Sequence, residues 1–200
     1  MKIIPDSISC LVLLLLSELI GQSLSRPAHN PALCSLFNSM IPHTEKLINL
    51  SRKLHELSDQ ELSRLVTVDH RLDSLLEIPH TAEAFSSIKI NESLSQLYNF
   101  SESYRSHMDW LKTARENVSL PTHPTEDATR HLQQLMHLLN SSLSQVPQAP
   151  HPPPPSLPLV SSAFDALRFS VEVSEKLRAF GLWTRRCIRV IQRHSRCPRR

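Results

Sequence analysis

Glycine and aromatic residues are scarce in this chain. Of its 200 residues only two are glycine, Gly21 and Gly181. Phosphate-cradling loops, dinucleotide fingerprints, nucleophile elbows and two-residue hairpins all need glycine, for a positive φ or for close backbone approach. P-loop enzymes, Rossmann dehydrogenases, α/β-hydrolases and most β-sandwiches drop out on that ground. Aromatics make up only 5% of the residues, so the 40% that are hydrophobic must build a largely aliphatic core. Metal-ligand spacing is missing too. Eleven histidines include no His-Glu-x-x-His, four cysteines form no Cys-x-x-Cys, and His131 and His137, six apart, fall on different helix faces. Neither an enzyme nor a cofactor or metal site is expected. The length fits one domain.

What is present points outside the cell. Lys2 precedes an apolar run from Ile8 to Leu16, followed by small and polar residues. That layout predicts a secretory signal peptide over 1–25, cleaved after Ser23 or Ser25, and the run is too short to span a bilayer. No later stretch is long and apolar enough to do so. Five Asn-x-Ser sequons, at Asn49, Asn91, Asn99, Asn117 and Asn140, fit a secreted, extracellular glycoprotein. With Cys10 lost in the leader, Cys34, Cys187 and Cys197 remain, so at most one intramolecular disulfide forms. The favoured bridge runs from Cys34 to either Cys187 or Cys197.

Four stretches repeat apolar residues at the helical period. The first carries Leu47, Leu50, Leu54 and Leu57; Pro42 interrupts its backward extension, so the helix is predicted over about 43–62. The second, about 92–116, carries Leu94, Leu97, Ser101, Tyr104, Met108 and Leu111. The third, about 126–146, carries Ala128, Leu132, Leu135, Leu139, Leu143 and Val146, with Thr125 as its expected cap. The fourth, about 162–193, carries Phe169, Val173, Leu177, Phe180, Thr184, Cys187 and Ile191. Each stripe needs a partner to cover it. None of the sequons falls on a stripe.

Connection lengths choose the topology. About eight residues join the second and third helices, whereas the first and last connections are long. The last, 147–160, has seven prolines in residues 147 to 158 and should be an extended spacer. Long, short, long is the pattern of an all-α, up-up-down-down four-helix bundle with two crossovers.

Short motifs sit in that frame: Leu72-Asp73-Ser74-Leu75 in the first crossover, Asp109-Trp110-Leu111 ending the second helix's stripe, Ser161-Ser162-Ala163-Phe164 after the prolines, and Trp183-Thr184-Arg185-Arg186 in the fourth helix. In order and spacing they resemble the interleukin-6-type cytokines, most closely the interleukin-11 branch. Phe164 departs from that branch, which has Trp there. The ciliary neurotrophic and cardiotrophin branches have Phe followed three residues on by Lys, where this chain has Leu167. The resemblance implies a receptor-assembling cytokine. Its alpha receptor would bind at the C-terminal end of the fourth helix. One glycoprotein-130-type chain would bind exposed faces of the first and third helices, a second the Phe164 region, and JAK/STAT signalling would follow. The alternatives are a cardiotrophin or ciliary neurotrophic type of cytokine, or an amphipathic-helix lipid carrier.

Residue positions on the fourth helix supply the expected contacts. Relative to its core stripe, Phe164, Arg168 and Val171 lie far round the other side, and Trp183, Arg186 and Arg189 also lie off it. An exposed aromatic anchors interfaces, unless Phe164 tucks under the linker as a hydrophobic staple. Residues 183–200 contain seven arginines and no acid. Without residues 1–25 the chain keeps 21 Lys and Arg against 17 Asp and Glu, and without those seven arginines its balance is −3. Such a run reads as a solvated face, as a heparan sulfate site, or as an arginine-centred receptor contact. No nucleic-acid partner and no membrane insertion are expected.

Overall fold

A computed structural model describes residues 30–55, 57–58, 60–62, 72–76, 78, 85, 89–143 and 156–198. The predicted leader, Val146 and most of the proline run lie outside the described residues. Among the described residues four helices form the body of one compact unit, Pro31–Arg200: α1 Pro31–Ser51, α2 Ile90–Asn117, α3 His123–Leu143 and α4 Ala163–His194. Among the described residues there is no strand. The fold is an all-α bundle.

Each helix packs on two neighbours: α1 on α3 and α4, and α2 on α3 and α4. Paired contacts give their directions. On α1 and α4, Asn38 Oδ1 accepts from Gln192 Nε2 at 2.9 Å, while Ile48 lies beside Gly181, so the two run antiparallel. On α2 and α4, Trp110 meets Phe169 while Phe100 meets Trp183, again antiparallel. On α2 and α3, Lys112 pairs with Glu126 and Asp109 accepts from Thr129. Gly181 has a role here: a Cβ built on it would stand 2.6 Å from Ile48 Cγ1, so α1 and α4 approach where a side chain is missing.

The predicted stripes of α2 and α4 are buried throughout, as is that of α3 from Ala128 to Leu143. The first helix differs from expectation. It starts at Pro31 and passes through Pro42, because Cys34, Phe37 and Met40 bury their side chains in the bundle and that packing outweighs the lost backbone hydrogen bond. It also ends early, at Ser51. A separate turn follows, in which Ser58 and Glu61 bond reciprocally, Ser58 N and Oγ donating to Glu61 Oε2. Ser58-Asp59-Gln60-Glu61 is a capping box, and it opens a new turn rather than continuing α1. Thr125 is likewise not a cap. It is buried in the first turn of α3, its hydroxyl donating to the Thr122 carbonyl, and Pro124 is tolerated there because a first-turn N–H has no helical partner anyway.

The first crossover is clipped onto the bundle. Leu72, Leu75 and Ile78 are buried. Leu72 N donates to Glu172 Oε1 at 2.6 Å, and Lys176 Nζ donates to the Leu72 carbonyl at 3.0 Å. His107 Nδ1 lies 2.7 Å from the Ser103 carbonyl, which can only accept, so Nδ1 carries the proton and Nε2 accepts from Ser74 Oγ at 3.0 Å. The Leu72-to-Leu75 motif thus docks the crossover. Deeper still, Arg115 is 2% exposed and ties four segments: Nη1 donates to the Leu54 carbonyl and Ser170 Oγ, and Nε to the Pro121 carbonyl.

Candidate functional site at the two ends of the fourth helix

At its N-terminal end α4 is held firmly. Ser162 Oγ accepts from Asp165 N at 3.1 Å and donates to Asp165 Oδ2 at 2.6 Å, satisfying one free N–H and placing a carboxylate in the first turn. The incoming linker is fixed by Trp110, whose Nε1 donates to the Pro158 carbonyl at 3.1 Å and whose ring packs edge-on against Phe169. From this held segment two apolar side chains project. Phe164 is 54% exposed, so it does not tuck under the linker, and Leu159 is 98% exposed.

Arg168 is placed otherwise than expected. It is 9% exposed, its guanidinium stacked 4.8 Å over Phe169 and 3.9 Å from Asp165. Val171 is buried as well. The expectation assumed one covered stripe; here almost every position from Ala166 to Ser174 is covered, with the crossover bonded to Glu172 on the outer side.

The C-terminal end presents charge instead. Arg186 is exposed, its guanidinium 4.0 Å over the ring of Phe85 from the first crossover, a cation–π contact that holds the fork while leaving its N–H edge free to bond. Arg189 is exposed too. A shallow groove of about 830 Å³ joins Phe85, Leu182, Arg186, Arg189 and Arg193; a second, of about 740 Å³, lies on the other side of Arg189 and Arg193 against Asn38, Ile41 and Pro42. Phe85 was missed from the sequence, since nothing local links a crossover residue to α4.

Trp183 is a second correction. It is 7% exposed, edge-on to Phe100 at 5.2 Å and tilted against Phe180 at 6.5 Å, which makes it part of the core. The reason is again breadth. Wedged between α1 and α2, α4 buries a wider face than its single stripe of periodic residues. Of the expected contacts, Phe164, Arg186 and Arg189 therefore lie on the surface, the first and the other two at opposite ends.

The cysteines settle one open choice. Cys34 bonds to Cys197, fastening the end of α4 to the start of α1, and Cys187 is free and buried. Burial pushes the Cys187 thiol up to about 12, so it stays protonated and inert. Four sequon asparagines, Asn49, Asn91, Asn117 and Asn140, are exposed, and Asn99 is half-buried. Among the described residues no cluster of His, Cys, Asp and Glu is placed to hold a metal, and no helix is long and apolar enough to cross a membrane.

Comparison with known proteins gives one match. A family model described as Interleukin 11 matches residues 27–195, spanning all four helices and both ends of α4. No curated protein and no solved structure matches. That family is one of cytokines, not of enzymes. The match covers well over half of the chain, and the chain belongs to the interleukin-11 family.

Proposed function

We propose that this chain is a secreted, extracellular cytokine that binds an alpha receptor through the C-terminal end of α4 and assembles glycoprotein-130-type signalling chains, one of them at Phe164. One observation carries the reading: two unlike surfaces stand at opposite ends of one rigid helix. The N-terminal one offers an aromatic on a fixed backbone, suited to an apolar pocket. The C-terminal one offers arginine forks suited to receptor carboxylates. Phe164 and Arg186 are 22 residues apart, about 33 Å along the helix, so two receptor chains can bind without colliding. Exposed faces of α1 and α3 remain for a further chain. Bridging raises the effective concentration of the receptors' cytoplasmic kinases, and JAK/STAT activation follows with no chemistry by the cytokine itself. The exposed sequons accept glycans without disturbing the bundle.

The direct test is reconstitution. Purified chain is mixed with ectodomains of an interleukin-11-type alpha receptor and of the glycoprotein-130-type receptor, and the complexes are sized. The expected result is a binary complex with the alpha receptor and a larger one when both are present. No complex with either ectodomain, together with flotation on liposomes, would replace this reading with a lipid carrier.

A further inference from the structure

Cations and acids are distributed unevenly on this surface. Away from the end of α4, several cations have acids beside them: Lys89 with Glu92, Arg105 with Asp109, Lys112 with Glu116 and Glu126, Arg130 with Asp127, and Lys176 with Glu172. Lys46, Arg52, Lys53 and Arg178 make no ion pair among the described residues, but they form no such row. Beyond Glu175 the sequence holds no acid at all. Among the described residues Arg185, Arg186, Arg189, Arg193 and Arg196 make no ion pair, and neither groove beside them has a carboxylate in its lining.

These arginines are arranged as well as numerous. Arg186, Arg189 and Arg193, at helical spacings of three and four, form one ridge about 10 Å long. Arg189 and Arg193 stand on the crest, with a groove falling away on each side. Arg196 ends the helix at a positive φ of 53°, and the Cys34–Cys197 bridge fixes the chain just beyond it. The row is therefore held in place.

We propose that this ridge binds a sulfated glycosaminoglycan chain, laid along Arg186, Arg189, Arg193 and Arg196. Unneutralised like charges fixed in a row create a field that a linear polyanion with regularly repeated anions can neutralise along its length. Guanidinium groups suit sulfate, being planar, weakly hydrated and able to donate two parallel N–H bonds to one anion. Every cation of the ridge is arginine. A membrane face would need apolar side chains to insert, and of the large hydrophobics exposed among the described residues only Leu182, at 41%, adjoins the ridge. The assignment is separate from the receptor reading, because the ridge extends past Arg186 and Arg189 to Arg193 and Arg196.

The test measures binding of the purified chain to immobilised heparin at increasing NaCl, beside two double variants. Arg193→Gln with Arg196→Gln should weaken heparin binding on the order of tenfold or more. Arg105→Gln with Arg130→Gln removes the same charge from ion-paired positions and should change heparin binding less than twofold. Affinity of the parent should fall steeply with salt, and fully desulfated heparin should bind far more weakly. Equal losses in the two double variants would reduce the effect to net charge and overturn the proposal. So would equal binding of desulfated heparin, or stronger capture by phosphatidylserine vesicles. Circular dichroism melts check that both variants remain folded.

Discussion

The two ends of α4 solve opposite surface problems. At the N-terminal end most polar groups are drawn inward: Ser162 caps, Asp165 answers it, and Arg168 folds down onto Phe169 with its Nε buried and without a hydrogen-bond partner among the described residues. What is left outside is apolar, Phe164 and Leu159. At the C-terminal end the aromatic is inside, with Trp183 against Phe100, and what is left outside is charge without a partner. An exposed aromatic on a fixed backbone and a row of unpaired arginines both leave binding energy unspent in the free protein. They call for partners of different chemistry.

The largest effect that sharpens this contrast compares the two aromatics. Trp183→Ala should lower the unfolding free energy by about 3–5 kcal/mol, read by urea denaturation, because it empties a buried site. Phe164→Ala should stay within about 0.5 kcal/mol of the parent, as a surface change. Equal losses would erase the distinction between the ends. Next, replacing Cys34 and Cys197 by Ser should cost about 2–5 kcal/mol, and hydrogen exchange should rise around residues 190–198 more than around 163–172. Acid should act on the middle of the helix through the crossover. Burial, foremost, holds His107 below the usual histidine range, so its folded form resists protonation. The unfolded chain then takes up protons more readily, and stability falls as pH drops below about 6.5 towards that lowered value. Protonation also turns Nε2 from acceptor to donor, against Ser74. His107→Gln should flatten the pH dependence of the melting temperature over that window. The smallest effect is expected at the ridge: Arg193→Gln should leave stability within about 0.5 kcal/mol, since no ion pair is lost.

Helix periodicity was legible wherever one stripe described the packing. The periodic stripes of α2, α3 and α4 could be read residue by residue, while Phe100, Val171, Trp183 and Ile188, buried off those stripes, could not. α1 was harder, because Pro42 argues locally for a break while Cys34, Phe37 and Met40 argue for continuation only once a bundle exists to bury them. The Ser58-to-Glu61 capping box, which opens a new turn beyond α1, went unread because the leucine spacing continues across it. Trp183 and Arg168 were misplaced for a geometric reason. A helix wedged between two others, with a crossover bonded to its outer side, covers more of its circumference than a stripe. The disulfide was half legible: Cys187 lies on the core stripe of α4, which suits a buried thiol and leaves Cys197 for Cys34. The stacking of Arg186 on Phe85 had no sequence signal, since it joins residues about a hundred positions apart.

Whether the ends of α4 bind different partners is tested most directly by one paired measurement: alpha-receptor affinity and cell signalling for Arg186→Glu and Phe164→Ala. Reversing the charge at Arg186 should weaken alpha-receptor binding by about 2–5 kcal/mol, the range for a charged partner lost from a desolvated contact. Phe164→Ala should bind the alpha receptor like the parent yet fail to signal, and should compete with the parent as an antagonist. If Phe164→Ala binds the alpha receptor as poorly as Arg186→Glu does, or signals at full strength, the ends do not act separately and the account is wrong.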